Sequence, residues 1–378
     1  MSFVKNINKY MKTRCITKPW KIHQKYKNKF NHTIVIPSLA ENNFLFKTLD
    51  SIEKNNPKIL KETIIIIVVN NSKKTNFNIR NNNYQTLKLL HQANYSYPIG
   101  IIDATSNGYE LPSKYAGVGL ARKIGIDLAI PLLKNEHSLI FSTDADTILN
   151  KDYLQTIVDH FNKNNIESAV VGFKHQKAEN KYLDKEILNY EKFLIKTANK
   201  IKSAGSPYGY VAMGSTMVCN LKSYIAVGGM PKRKAAEDFY FLQELAKYRG
   251  VQNINNILVY PSSRSVSRVH LGTGFRMEQV KKGININNLY FSDDAFKLLS
   301  FWINKGTNSW QKDILELMSL IEKKNKDLNT FLINEGINNI WLGLQASSPT
   351  KEHFIKQFHR WFDGLKTIRL LKLFSYID

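Results

Sequence analysis

Cysteine is nearly absent. The 378-residue chain has two, Cys15 and Cys219, far apart and in no metal-binding spacing. That excludes a disulfide framework and a zinc knuckle, and fits a reducing compartment such as the cytoplasm. Long apolar runs are missing too: the longest, IIIIVV at 64–69, is far too short to cross a bilayer and reads as a buried strand. No charged-apolar-small leader opens the chain. Acid is the other shortage, with 31 Asp and Glu against 54 Lys and Arg, a net charge of +23 and no carboxylate before Glu41. The excess has two readings. One is attraction to anions such as nucleotides or phospholipid headgroups; the other is drift in a Lys-, Asn- and Ile-rich composition. Nucleic acid is not expected as a partner. The first thirty residues carry nine Lys or Arg and read as a solvated basic arm, with an anionic membrane surface as the sharper alternative.

What is present is a globular chain, 43% hydrophobic, long enough for a large core. HTIVIPS (32–38), ETIIIIVVNNS (62–72), PIGIID (98–103), LIFST (139–143) and SAVVGF (168–173) read as strands. Between them, Phe44, Leu45, Thr48, Leu49 and Ile52 share one helical face, as do Leu120, Ala121, Ile124 and Leu128, and then Tyr153, Leu154, Ile157, Val158 and Phe161. The Asn-rich piece 76–83 reads as a loop. Strands alternating with amphipathic helices imply an α/β fold with parallel β-α-β units. In such sheets ligands bind beyond the carboxyl ends of the strands. Three polar tips fall there: Ala40-Glu41, Asn70-Asn71 and Asp144-Asp146. After residue 275 strand signals stop, and 292–304, 311–323, 331–346 and 351–374 read as helices. The expected organisation is a basic arm at 1–31, an α/β domain at 32–275 and a helical region at 276–378.

The Asp-Ala-Asp at 144–146 is the sharpest signal. Carboxylates at the end of a buried strand are costly unless paired or metal-bound. Oxygen-only ligands suit Mg²⁺ or Mn²⁺; a plain polar turn is the alternative. A haloacid-dehalogenase-like nucleophile is disfavoured, because Ile148 stands where that motif needs Thr and several β-α units come first.

In order along the chain, IVIPSLAEN, IIIIVVNNS, GLARKIGI, FSTDADT, MGSTMVCNLKSYIAVGGM and AEDFYFLQEL resemble family 2 glycosyltransferases of the GT-A fold, over roughly residues 32–275. The resemblance implies a Rossmann-like, mixed and mostly parallel sheet flanked by helices. It also implies a nucleotide-sugar donor and a cation at Asp144 and Asp146. Glu41, Asn70, Asn71, Arg122, Asp144, Gly214 and Ser215 would contact the donor, with Thr216 in the same loop. Asp238 would be the general base and Glu237 its neighbour at the acceptor side. Asn70-Asn71 departs from the Asp-Asp common there, which leaves the base of the nucleotide open.

Each assignment has a plainer rival. Asp238 also suits an acid at a helix start, and Arg122 a solvated helix charge. His270 is a candidate third metal ligand or an ordinary histidine. Gly272-Thr273-Gly274, with Arg264 and Arg268 nearby, is a phosphate loop or a flexible turn. Lys123 and Lys174 read as solvent-facing. Phe354, Phe358, Trp361, Phe362 and Leu365 lie on one face of a basic helix that docks on a core or lies on an anionic membrane. The expected function is metal-dependent transfer of a sugar to an acceptor hydroxyl of a glycan, lipid-linked or small molecule, with inversion, in the cytoplasm or on the inner membrane face. The alternatives are a nucleotide- or membrane-binding protein on an inactive scaffold, and a nucleotidyltransferase.

Overall fold

The computed structural model describes residues 3–265 and 272–375. Eight strands are found among them: β1 (His32–Ser38), β2 (Thr63–Asn70), β3 (Ile99–Ala104), β4 (Leu139–Ser142), β5 (Ile148–Leu149), β6 (Ser168–Phe173), β7 (Met217–Asn220) and β8 (Gln252–Tyr260). They form one sheet in the order β3-β2-β1-β4-β7-β6-β8-β5. β1 runs parallel to β2 and β4, and β2 to β3. β7 is antiparallel to both β4 and β6, while β6 and β8 are parallel. The fold class is as expected, a mixed, mostly parallel α/β sheet flanked by helices, with a helical C-terminal region. Every residue of β2, TIIIIVVN, is buried, which a central parallel strand covered on both faces requires.

The helices of the N-terminal half are α1 (Phe3–Thr13), α2 (Asn42–Glu53), α3 (Pro57–Lys61), α4 (Phe77–Gln92), α5 (Val118–Ala129), α6 (Tyr153–Asn164) and α7 (Lys181–Ser203). Then come α8 (Leu221–Ala226), α9 (Glu237–Arg249), α10 (Thr273–Lys281), α11 (Asp293–Thr307), α12 (Ile314–Lys324), α13 (Lys326–Asn334), α14 (Ile337–Ala346), α15 (Lys351–Trp361) and α16 (Gly364–Leu373). The chain divides into two compact units: residues 1–188 with 212–284, and residues 189–211 with 285–378. No described helix is long and apolar enough to cross a membrane.

Three sequence expectations are corrected here. The Asn-rich stretch 76–83 begins helix α4 instead of forming a loop. Asn76 caps it, accepting from the Ile79 amide at 3.0 Å. Asn83 is fully buried and donates to Asn70 O at 3.0 Å and to Asn71 Oδ1 at 2.9 Å. Tertiary hydrogen bonds thus override the weak helix preference of Asn. Second, the basic N-terminal segment is docked and not a free arm, although its nine Lys and Arg stay exposed. Tyr10 is buried and donates to Asp127 Oδ1 at 2.7 Å, the Ile16 amide donates to Asp127 Oδ2 at 2.8 Å, and Trp20 Nε1 donates to Tyr109 O at 2.7 Å. Third, Lys123 is buried, with its ammonium 3.0 Å from Asp127 Oδ2. Burial drives its pKa down, and Asp127 opposes that shift. Lys174 is exposed, as expected.

In the second unit, the stretch 331–346 is broken at Gly336, whose φ of +83° suits glycine. The stretch 351–374 is broken before Asp363, which caps α16 by accepting from the Leu365 amide at 3.1 Å. Phe354, Phe358 and Phe362 are fully buried with Trp302 and Trp341 in the core of this unit. The apolar face that the membrane reading needs is therefore spent on the protein's own core.

Candidate active site

The strand ends collect the charged residues. β4 stops at Ser142, and the turn Thr143-Asp144-Ala145-Asp146-Thr147 follows. Main-chain groups hold this turn from several sides. The Thr143 amide donates to Val35 O at 3.2 Å and the Thr147 amide to Asp144 O at 3.2 Å. Thr48 Oγ1 donates to Ala145 O at 2.9 Å, and Gln176 Nε2 donates to Asp146 O at 2.9 Å. Each aspartate meets a different arginine.

Asp144 is paired with Arg122 of α5, and the same guanidinium is paired with Glu237 at the start of α9. Arg122 and Glu237 are buried, while the Asp144 side chain keeps 36% of its exposure. Three glycines allow this contact. A Cβ on Gly214 would strike the Arg122 guanidinium; on Gly117 it would strike Lys234, and on Gly119 the Arg233 carbonyl and Glu237 Cβ. The loop before α9 can therefore close onto the first turn of α5. Burial lowers the Arg122 pKa, but Asp144, Glu237 and Asp238 outweigh it, so the net direction is up. Arg122 is not a solvated helix charge.

Burial also pushes the nearby acids up, against the pull of Arg122. Asp144 is raised, and Glu237 is pushed up to about 7. Asp238 is raised by burial, while Arg122 and backbone hydrogen bonds at Phe239 and Gly214 pull the other way. Asp238 is half-buried and accepts from the Phe239 amide at 2.7 Å.

Asp146 takes Arg264, from the segment after β8. Nε and Nη2 lie 3.0 and 2.8 Å from Asp146 Oδ2, and Nη2 also reaches Glu41. Two acids of the site follow an alanine in the left-handed region, Ala40 (φ 53°) before Glu41 and Ala236 (φ 58°) before Glu237. Such backbone is costly for a residue with a Cβ, and it concentrates at functional sites.

Asn70 and Asn71 lie at this edge, buried, with their side chains committed inward. Asn70 Nδ2 donates to Ser38 O at 3.2 Å, and Asn71 accepts from Asn83 and Thr105. Ser215 is fully buried, and its Oγ, like Arg122 Nε, has no hydrogen-bond partner among the described residues. His270 and Arg268 lie outside the described residues. Thr273 Oγ1 is 3.0 Å from His175 Nε2. Sequence reasoning missed Gln176 and Thr48, which hold the Asp144–Asp146 turn. Gln176 was accessible, because it follows the strand 168–173 at the ligand edge of the sheet.

A hard divalent cation fits what is present. Each aspartate spends one oxygen on its arginine, and among the described residues no hydrogen bond engages the other. Among the described residues no three His, Cys, Asp or Glu form a cluster for a metal. Two carboxylates suit an ion that takes its other ligands from water and a substrate phosphate.

No protein-family model matches the chain, and no curated protein matches it by sequence. Among solved structures, it is similar to Staphylococcus aureus TarS 1–349 in complex with UDP-GlcNAc, at 12% identity and TM-score 0.45, over 71% of this chain and 70% of that one. The mannosyltransferase PcManGT from Pyrobaculum calidifontis, in complex with GDP-Man and Mn²⁺, is 11% identical with TM-score 0.44, over 96% of each chain.

Proposed function

We propose that this chain is a glycosyltransferase that moves a sugar from a nucleotide-sugar to an acceptor hydroxyl, with Mg²⁺ or Mn²⁺ and with inversion. The observation that carries the reading is the meeting of Asp144, Asp146, Glu41, Arg122, Arg264, Glu237 and Asp238 at the carboxyl edge of one sheet. They come from five segments as far as 223 positions apart in sequence.

The free oxygens of Asp144 and Asp146 would hold the cation, which when bound offsets the charge gathering on the leaving diphosphate. Arg122, locked between Asp144 and Glu237, fixes where Asp144 points. Gly214 and Ser215 border this end, with the Ser215 hydroxyl buried beneath it. Glu237 is occupied by Arg122. Asp238 is half-buried, and its raised pKa makes it a stronger base than an ordinary aspartate. It takes the proton from the acceptor hydroxyl as that oxygen attacks the anomeric carbon.

Thermal shift with nucleoside diphosphates tests the reading. A nucleoside diphosphate raises the melting temperature only with Mg²⁺ or Mn²⁺, and Asp146→Ala abolishes that dependence while the fold persists. Full metal-dependent stabilisation of the Asp146→Ala variant would refute the site.

A further inference from the structure

Arg264 already places a positive charge on the carboxylates of the open end of the site. Two of its nitrogens donate to one oxygen of Asp146, one of them also reaches Glu41, and the guanidinium lies 4.0 Å from the centre of the Phe44 ring. The segment that carries it is fastened: the Gln176 amide donates to Pro261 O at 2.9 Å, and Ser263 Oγ donates to Lys177 O at 3.0 Å. The side chain is 22% exposed, so the guanidinium can leave its seat while the main chain stays.

We propose that Arg264 is a built-in counter-cation that holds Asp146 in the nucleotide-free protein, yields it to the divalent cation and then grips the diphosphate. This rests on the reading of Asp144 and Asp146 as the metal-diphosphate site. A metal on the other oxygen of Asp146 would share one carboxylate with the guanidinium on Oδ2, and two cations at such close range repel strongly in a partly buried site. The displaced guanidinium finds in a diphosphate two oxygens that its planar fork can engage together. Metal and Arg264 thus compete while the metal is alone, and cooperate once a diphosphate is present. The protein would then resist loading metal without substrate.

Mn²⁺ alone is the first probe, its free signal followed by electron paramagnetic resonance against the full chain; Mn²⁺ with inorganic pyrophosphate is the second. Arg264→Gln and Arg264→Met, the latter keeping contact with Phe44, should each bind Mn²⁺ alone about tenfold more tightly than the wild type. Both should bind pyrophosphate in the presence of Mn²⁺ about tenfold more weakly. Arg264→Lys, which keeps the charge, should stay near wild type with Mn²⁺ alone. Unchanged, weaker or absent Mn²⁺ binding by both neutral variants overturns the counter-cation role. So does tight Mn²⁺ binding by Arg264→Lys. Asp146→Asn separates the two levels. Mn²⁺ binding that survives it removes the metal-site reading itself. Binding that Asp146→Asn abolishes but the Arg264 variants leave alone removes only the role of Arg264.

Discussion

The two arginines that grip the Asp144–Asp146 turn differ in their access to water. At one end Arg122 is buried between Asp144 and a buried Glu237, in a nest closed by Gly119 and Gly214. At the other, Arg264 is 22% exposed, against 2% for Arg122. Burial makes an ion pair rigid and expensive to break, while water makes one cheap and exchangeable. The closed end is built to fix geometry next to Asp238. The open end is built to trade partners, as the arrival of a charged donor requires.

The largest effect should fall on turnover at the closed end. Asp238→Asn keeps size and hydrogen bonding but cannot take a proton. It should lower kcat about 10²–10⁴-fold and leave nucleotide affinity nearly unchanged. A variant with wild-type turnover and a lower melting temperature would make Asp238 a helix-start acid instead. Because the base must be ionised, wild-type kcat should fall as pH drops through its raised pKa.

Next comes stability. Arg122→Met strands Asp144 and Glu237 without their cation and should cost about 3–5 kcal/mol, measured by urea unfolding. A loss below 1 kcal/mol would mean that the buried pair relaxes into water and that the two ends are alike.

A smaller effect should appear in the pH dependence of folding. Glu237 is raised from 4.5 to about 7 in the folded protein, so between those values the folded state binds the proton more tightly. Its contribution is full below about pH 4.5 and is lost as pH rises through about 7, a change of about 1–3 kcal/mol. Glu237→Gln should flatten that slope in unfolding measured from pH 5 to 8. An unaltered slope would place the titrating group elsewhere.

The smallest effect belongs to the open end. Arg264→Gln should change unfolding free energy by no more than about 1 kcal/mol. A loss as large as that of Arg122→Met would erase the contrast.

Much of this molecule follows from local pattern. The all-apolar run at 64–69 has no stable place except a covered strand, and the stripe at 153–161 buries one helical face. Polar tips such as Glu41 and Asp144–Asp146 must then fall at the strand ends. These inferences hold because period and burial are properties of neighbouring residues. Partnership is not such a property. Arg122 and Lys123 are adjacent basic residues on one helix, yet one is buried against Glu237, 115 positions away, and the other against Asp127 and Tyr10. The stretch 76–83 becomes helix because Asn83 finds Asn70 and Asn71 across the sheet edge. The aromatic face of 354–362 is buried because Trp302 and Trp341 meet it. Only the folded chain decides such matters, because a buried charge or amide is stable solely where a distant segment supplies its partner.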